Sequence, residues 1–183
     1  MKRLLFAACI VVALPVVALA QTGQIGLFAD PGGNGCTVTD NSPGPITVYV
    51  VLTDHGGAGA CDFMVQPGPG FLGSWVSDTW IFATTQGTSD KGISIIFGSC
   101  EPTPTHVLTI NYVGAGTSSP CSSIDVVGNT NVTPPSPSIT SCVGSKNPVP
   151  VRSVVVNPDV TCNCIVPVEE TTWGRIKALY HGD

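Results

Sequence analysis

The eight cysteines are the most reactive side chains in this sequence of 183 residues. Thiolates bind metals or act as nucleophiles, but in an exported chain they pair as disulfides. Seven cysteines follow the predicted export signal: Cys36, Cys61, Cys100, Cys121, Cys142, Cys162 and Cys164. Because seven is an odd number, at least one of these thiols has no partner within the chain. A metal site at Cys162-x-Cys164 is the alternative, although zinc sites more often show Cys-x-x-Cys twice.

The three histidines do not form a recognisable catalytic arrangement. His55 follows Asp54 in a glycine-rich loop, but no serine in a Gly-x-Ser-x-Gly turn accompanies this pair, and no His-Glu-x-x-His motif is present. Cys100 and His106 have a spacing that resembles a cupredoxin copper site, yet no methionine follows them. With His181 far away in the tail, the sequence predicts no catalytic residues, no metal and no cofactor.

Two further groups of side chains are candidates for binding. Carboxylate and amide oxygens around one glycine-rich turn are of the type that Ca²⁺ prefers, although their spacing matches no EF-hand: Asp30, Asn34 and Asp40. An aromatic platform for a sugar would consist of Trp75, Trp80 and Phe82. These groups define two alternative functions, a metal-binding secreted protein and a carbohydrate-binding module that uses Trp75 and Trp80.

The N-terminus has the pattern of a signal peptide over residues 1–20. Lys2 and Arg3 precede an apolar run over 4–17, and Ala18-Leu19-Ala20 forms a small-x-small cleavage site. No later run is apolar for long enough to span a membrane. After cleavage, five basic residues remain against 12 acidic ones, a net charge near −7. We therefore expect a secreted, periplasmic or cell-surface protein that does not bind nucleic acid.

Period-two alternation of apolar and polar residues predicts an all-β domain over residues 21–160. The runs Ile93–Phe97 and Val107–Tyr112 are interpreted as its central antiparallel pair. The 21 glycines and 16 prolines require many turns, which favours a sandwich over a helix bundle. The proline-rich stretch 133–138 is expected to cross between sheets. The predicted fold is a single immunoglobulin-like or cohesin-like β-sandwich, stabilised by disulfides.

The up-and-down order of the strands predicts which cysteines meet. Cys100 follows an upward strand and Cys121 the next downward strand, so these two should lie at opposite ends of the sandwich. Three pairings are therefore expected: Cys100 with Cys142, Cys121 with Cys162 or Cys164, and Cys36 with Cys61.

The segment 161–183 differs in kind, because its residues 169–180 carry the only helical pattern after the signal peptide. Trp173, Ile176 and Tyr180 share one face of this predicted short helix. A helix of about ten residues is marginal alone, so we expect it to dock on its own domain or on a partner.

Several runs resemble a group of uncharacterised secreted bacterial proteins. The shared runs are Ile25–Asp30, Val48–Leu52, Gly92–Ile95 before Cys100, Cys121 before Ile124, and the ending Cys162-x-Cys164 with Pro167–Tyr180. The ending, Thr-Trp-Gly-x-Ile-Lys-x-Leu-Tyr, is the most specific. The resemblance implies an exported, non-catalytic structural or interaction module of the cell envelope. Expected partners are a protein or a glycan at the cell surface, or a second copy of the chain.

Overall fold

The computed structural model describes residues 22–162, and this part of the chain forms strands and loops without a helix. The strands are β1 (Thr22–Phe28), β2 (Thr37–Val38), β3 (Pro43–His55), β4 (Ala58–Pro67), β5 (Ser74–Trp80), β6 (Thr84–Thr88), β7 (Gly92–Glu101), β8 (Thr105–Ala115), β9 (Ser122–Val127), β10 (Ser138–Ser141), β11 (Lys146–Pro148), β12 (Val151–Arg152) and β13 (Val154–Val156). The predicted signal peptide and the predicted tail helix lie outside the described residues. Within them, no helix is long and apolar enough to cross a membrane.

The strands form two sheets that pack as a β-sandwich, which confirms the predicted fold class. The first sheet has the order β12-β1-β3-β8-β5. In the second sheet β4 is central, with β7 and then β6 on one edge and β10 and then β11 on the other. The far half of β4 pairs with β9, which continues to β13 and β2.

The core lies between the two sheets and contains the side chains that the alternation placed inward. Ile93, Ile95 and Phe97 of β7 and Leu108 and Ile110 of β8 are all buried in this core. The remaining large core residues follow the same period: Ile25, Leu27, Ile46, Val48, Val50, Leu52, Phe63, Val65, Tyr112, Ile124, Val126, Val154 and Val156. The side chains facing the interior were therefore predicted correctly.

The prediction that β7 and β8 form the central antiparallel pair is wrong. β7 pairs with β4 and β6, whereas β8 pairs with β3 and β5, so the two strands lie in opposite sheets. The connection contains Pro102 and Pro104, which have no backbone N–H to donate to a ladder. A strand can bury its apolar face whether a second strand lies beside it or in the opposite sheet across the core. The alternation of apolar and polar residues therefore did not specify which strands pair.

The proline-rich stretch does not cross between sheets, contrary to expectation. β9 and β10 both run antiparallel to β4, β9 along Met64–Pro67 and β10 along Ala58–Asp62. The loop between them leaves and rejoins the same sheet. Because β7 also runs antiparallel to β4, the ends of β7 and β10 lie at the same end of the sheet, where Cys100 and Cys142 are located.

Two of the three predicted disulfides are confirmed and one is wrong. Cys100 bonds Cys142 and Cys121 bonds Cys162, with Cα separations of 5.3 and 5.7 Å. Cys61 is instead a free, buried thiol, and Cys36 is disulfide-bonded elsewhere. Cys61 points into the core from the middle of β4, where its position among apolar side chains suits a small hydrophobe.

Candidate functional site

The two described histidines are held by their own loops and strands. Nδ1 of His55 accepts a hydrogen bond from the Gly57 N–H (3.3 Å), and its buried Nε2 has no partner within residues 22–162. Nε2 of His106 lies 3.1 Å from both the Leu108 carbonyl oxygen and the Thr109 hydroxyl. Burial lowers the pKa of both imidazoles. Because Cys100 is in a disulfide, it offers His106 no thiolate for the copper site considered above.

The structure brings together two of the predicted calcium ligands, with the Asn34 side-chain N–H₂ 3.5 Å from the Asp30 carboxylate, but it places Asp40 against a different loop. The Asp30 carboxylate accepts backbone N–H groups of its own turn, from Gly32 at 2.8 Å, from Asn34 and from Gly35, and these bonds, led by the one from Gly35, lower its pKa. The Asp40 carboxylate is buried and accepts from the backbone of a different loop, including the Gly116 N–H at 2.7 Å. Each carboxylate therefore stabilises a separate turn.

One group of possible metal ligands occurs in the described part of the chain. Sγ of Cys121, Sγ of Cys162 and a carboxylate oxygen of Asp159 lie within 4.8 Å of one another. The two sulfurs are bonded to each other, so they offer no thiolate while the disulfide is intact. This group is a disulfide with an exposed carboxylate beside it.

The three residues of the predicted aromatic platform do not share a surface. The Trp75 indole N–H donates to Asp78 and to Ser89, at 3.1 Å each, and its ring packs against the core. The Phe82 ring also packs against the core, with its centroid 4.5 Å from that of Phe97. Only Trp80 is largely exposed, at 55%. A sugar platform of all three rings would need two of them to leave the core.

The outer surface of the second sheet offers a broader candidate site. On β7 the side chains of Ser94 and Ile96 alternate with buried ones and point away from the core. Ile96 is paired with Ala60 on β4 and with Thr84 on β6, and it is 53% exposed. We call this surface the Ile96 face, and its outward residues are Ala60, Asp62, Thr84, Gln86, Ser94, Ile96 and Thr140.

Small and uncharged side chains surround the exposed Ile96. Asp62, one row away, accepts a hydrogen bond from Ser94 and forms an ion pair of 2.9 Å with Lys146. A depression of about 230 Å³ lies at one end of the face, beside Ile96 and the Cys100–Cys142 disulfide. A second depression, of about 360 Å³, lies at the other end beside Ser94. An exposed aliphatic side chain between two depressions is an arrangement that can hold a protein partner.

The outer surface of the first sheet is different, because its side chains contact one another. The hydroxyl of Thr47 donates to Asn111, and Asn111 donates to Ser77, across three strands. The Tyr49 and His106 rings pack edge to face at 5.3 Å. Val113 is 52% exposed on this sheet, which nearly equals the exposure of Ile96. The chain thus carries a matched control for the Ile96 face.

Sequence reasoning did not select Ile96, although the signal is visible. Ile95 and Ile96 are adjacent, so one of them must point to solvent in a strand that buries one face, and because Ile93, Ile95 and Phe97 share the inward face it is Ile96. The depressions had no such signal, since their walls come from segments far apart in sequence. The predicted docking residues Trp173, Ile176 and Tyr180 lie outside the described residues.

Comparisons with known proteins place the fold among cohesin modules. No protein-family model matches the chain, and no curated protein matches it in sequence. A type II cohesin domain from the cellulosome of Acetivibrio cellulolyticus superposes with a TM-score of 0.54 at 13% identity, covering 77% of this chain and 97% of the other. The sixth cohesin of scaffoldin B from the same organism, solved in complex with a dockerin, gives 0.51 at 14% identity over 75% and 99%.

A third solved structure shows the same likeness in another lineage. The non-cellulosomal cohesin of the hyperthermophilic archaeon Archaeoglobus fulgidus gives a TM-score of 0.51 at 8% identity, covering 83% of this chain and 96% of that one. The described strands therefore form a cohesin-like sandwich that spans nearly the whole of each matched module.

Proposed function

We propose that this chain is a secreted or cell-envelope, non-catalytic interaction module that binds a protein partner through the Ile96 face. The observation that carries the proposal is Ile96 itself, a large aliphatic side chain that is exposed on β7 between β4 and β6. It is surrounded by small side chains and lies between two depressions. Burial of such a side chain in a partner's pocket is a typical central contact of a protein interface.

The shared fold suggests which partner to test first. One of the cohesins that this chain resembles is complexed with a dockerin, so we propose a dockerin or a module of similar role. The first sheet is a weaker candidate, because its polar side chains are bonded to one another. A second copy of the chain is the alternative occupant of the Ile96 face, and it would appear as a concentration-dependent dimer.

Two features support an extracytoplasmic location. The disulfides Cys100–Cys142 and Cys121–Cys162 require an oxidising compartment to form and persist. The N-terminal pattern of a positive segment, an apolar run and a small-x-small site is typical of a secretory signal. N-terminal sequencing of the protein recovered from periplasm and medium tests this part, and an uncleaved chain in the cytoplasm would contradict it.

The binding proposal is tested with two variants that differ only in the face they change. Ile96→Asp places a charge at the centre of the Ile96 face, and Val113→Asp places one on the opposite sheet at equal exposure. Affinities for dockerin modules encoded by the same organism are measured by biolayer interferometry. We expect at least a thirtyfold loss for Ile96→Asp, about 2 kcal/mol as for a central interface residue, and little change for Val113→Asp.

Three outcomes would contradict the proposal. Equal losses in both variants would show that neither surface is specific, and a loss confined to Val113→Asp would move the site to the first sheet. Absence of binding to every dockerin, together with an Ile96-dependent dimer in mass photometry, would assign the face to a second copy. Unfolding curves of both variants provide the control, since substitution at half-exposed strand positions changes stability by about 1 kcal/mol or less.

A further inference from the structure

The larger depression, beside Ser94 at the end of the Ile96 face, is a polar pocket that the proposed protein contact does not require. Its volume is about 360 Å³, at the lower end of the usual range for ligand pockets of about 300–1,000 Å³. Seven uncharged residues line it, four with polar side chains and three with glycine or valine: Gln86, Gly87, Gly92, Ser94, Asn129, Asn131 and Val132. We call this site the amide pocket.

The wall of the amide pocket is held in place by hydrogen bonds. Asn129 is buried, and its side-chain N–H groups donate to the Ile93 carbonyl at 3.2 Å and to the Ser94 hydroxyl at 3.4 Å. Its side-chain oxygen accepts the Asn131 backbone N–H at 2.9 Å. The Asn131 side-chain N–H₂ donates to the Lys91 carbonyl at 2.8 Å. The pocket therefore exists before any ligand arrives, which lowers the cost of binding.

Two of the lining residues must be glycine for the wall to keep its arrangement. Gly92 has φ of +105°, and a Cβ at this position would lie 2.2 Å from the Asn129 side-chain oxygen. Gly87 has φ of +87°, and a Cβ there would lie 2.2 Å from the Gly92 carbonyl oxygen. A side chain at either position would both strain the backbone and displace the neighbouring group.

The hydrogen bonds within the protein leave polar groups free to bind a ligand. Among residues 22–162, the Gln86 side-chain amide and the side-chain oxygen of Asn131 have no hydrogen-bond partner, although both residues line the pocket. An amide offers both donors and an acceptor, as a sugar hydroxyl does. Val132 supplies an apolar wall for the C–H groups of a ring.

The chemistry of the lining selects the class of ligand. A charged ligand would find no counter-charge among the lining residues, and an apolar one would leave the amides without partners. A small, neutral and hydroxyl-rich molecule satisfies both conditions. We infer that the amide pocket binds one ring of an uncharged sugar, as a glycan-binding site separate from Trp75, Trp80 and Phe82.

This inference does not depend on the proposed protein contact, and nuclear magnetic resonance tests it directly. The ¹⁵N-labelled protein is titrated with methyl galactoside, methyl glucoside and N-acetylglucosamine, and with glucuronate as the charged control. We expect saturable shifts of the Gln86 and Asn131 side-chain amide signals with at least one neutral sugar, with a Kd on the order of 1 mM. Glucuronate should give none.

Three variants decide whether the shifts come from the pocket. Gln86→Ala removes a free amide and should weaken binding roughly tenfold, and Val132→Trp should fill the pocket and abolish binding. Asn147→Ala is the matched control, since Asn147 is an exposed amide residue on β11 and does not line the pocket. The dispersion of the backbone amide signals shows that each variant is folded.

The possible results separate the two proposals. No saturable shift with any neutral sugar, or shifts that survive both Gln86→Ala and Val132→Trp, would overturn the inference. Shifts of the same amides with a protein partner and with no sugar would also overturn it and assign the pocket to the protein interface. Sugar binding without any protein partner would leave the inference standing and remove the proposed function instead.

Discussion

Removal of the Cys100–Cys142 disulfide is expected to cost the sandwich a large share of its stability. The bond joins the end of β7 to the residue after β10, with a sequence separation of 42. For a loop of that size, the loss of chain entropy from the unfolded state stabilises the native state by about 4 kcal/mol at 25 °C. The double substitution Cys100→Ser with Cys142→Ser should therefore lower the free energy of unfolding by about that amount.

The second disulfide provides an internal comparison. The Cys121–Cys162 separation is 41, so the entropic contribution should be nearly identical. Backbone lies against both bonds, since a Cβ at Gly57 would lie 2.9 and 3.0 Å from the sulfurs of Cys100–Cys142, and the Asp159 N–H donates to Sγ of Cys162 at 3.4 Å. The two double variants should therefore lose similar amounts of stability, within about 1 kcal/mol of each other.

Urea unfolding of the oxidised proteins, followed by tryptophan fluorescence, measures both effects. Each double variant should show a lower midpoint and a steeper dependence on urea, because an unfolded chain without the cross-link exposes more surface. A loss below about 1 kcal/mol for either pair, with an unchanged slope, would refute the reasoning from chain entropy.

Three further predictions concern buried groups. Burial lowers the pKa of His55 and His106 below 6.5, so the unfolded state binds more protons as the pH falls. Stability should therefore be constant above that value and decrease below it, and a His55→Gln, His106→Gln variant should lose this slope in urea midpoints measured at several pH values. Burial raises the pKa of the Cys61 thiol well above its ordinary value, so Cys61 should resist iodoacetamide in the native protein and react on unfolding. Peptide mass mapping follows the alkylation, and rapid alkylation of the native protein would contradict the buried position of Cys61. Asp40→Ala leaves the N–H of Gly116 without its acceptor and should cost about 3 kcal/mol, whereas an unchanged melting temperature in calorimetry would contradict the role of this carboxylate.

The inward faces of the strands could be predicted because side chains alternate along a strand whatever it pairs with. This is why Ile93, Ile95 and Phe97 were placed in the core correctly. The pairing of β7 with β4 and β6 could not be predicted in the same way. Each amphipathic strand is compatible with several neighbours, and the choice is made by connections that lie outside the strand itself.

Cysteine chemistry was predictable in part for a similar reason. Reversals of the chain place the ends of successive strands at alternate ends of the sandwich, which led to Cys100–Cys142 and Cys121–Cys162. Cys61 was paired only by elimination, although Phe63 and Val65 on the same face of β4 already indicated that it points inward. Whether a cysteine side chain points into the core therefore predicts whether it forms a disulfide better than the number of cysteines in the chain does.

Most residues of the candidate sites could not be predicted from the sequence. Gln86 and Asn131 are far apart in the chain, and they line one pocket because β6 pairs with β7 and because Asn129 holds its loop against Ile93. Trp75 was a candidate for a sugar platform with Trp80 and Phe82, yet its indole N–H donates to Asp78 and Ser89. A polar partner on a neighbouring segment decided the orientation in each case.

Hydroxyl-radical footprinting of the protein with and without its partner tests the central claim most directly. Ile96 and Val113 are exposed to nearly the same extent on opposite sheets, at 53% and 52%, so each reports on one face of the sandwich within one sample. We predict that the partner lowers the rate of oxidation at Ile96 severalfold and leaves the rate at Val113 unchanged. Protection of Val113 with unchanged oxidation of Ile96 would contradict the assignment of the Ile96 face.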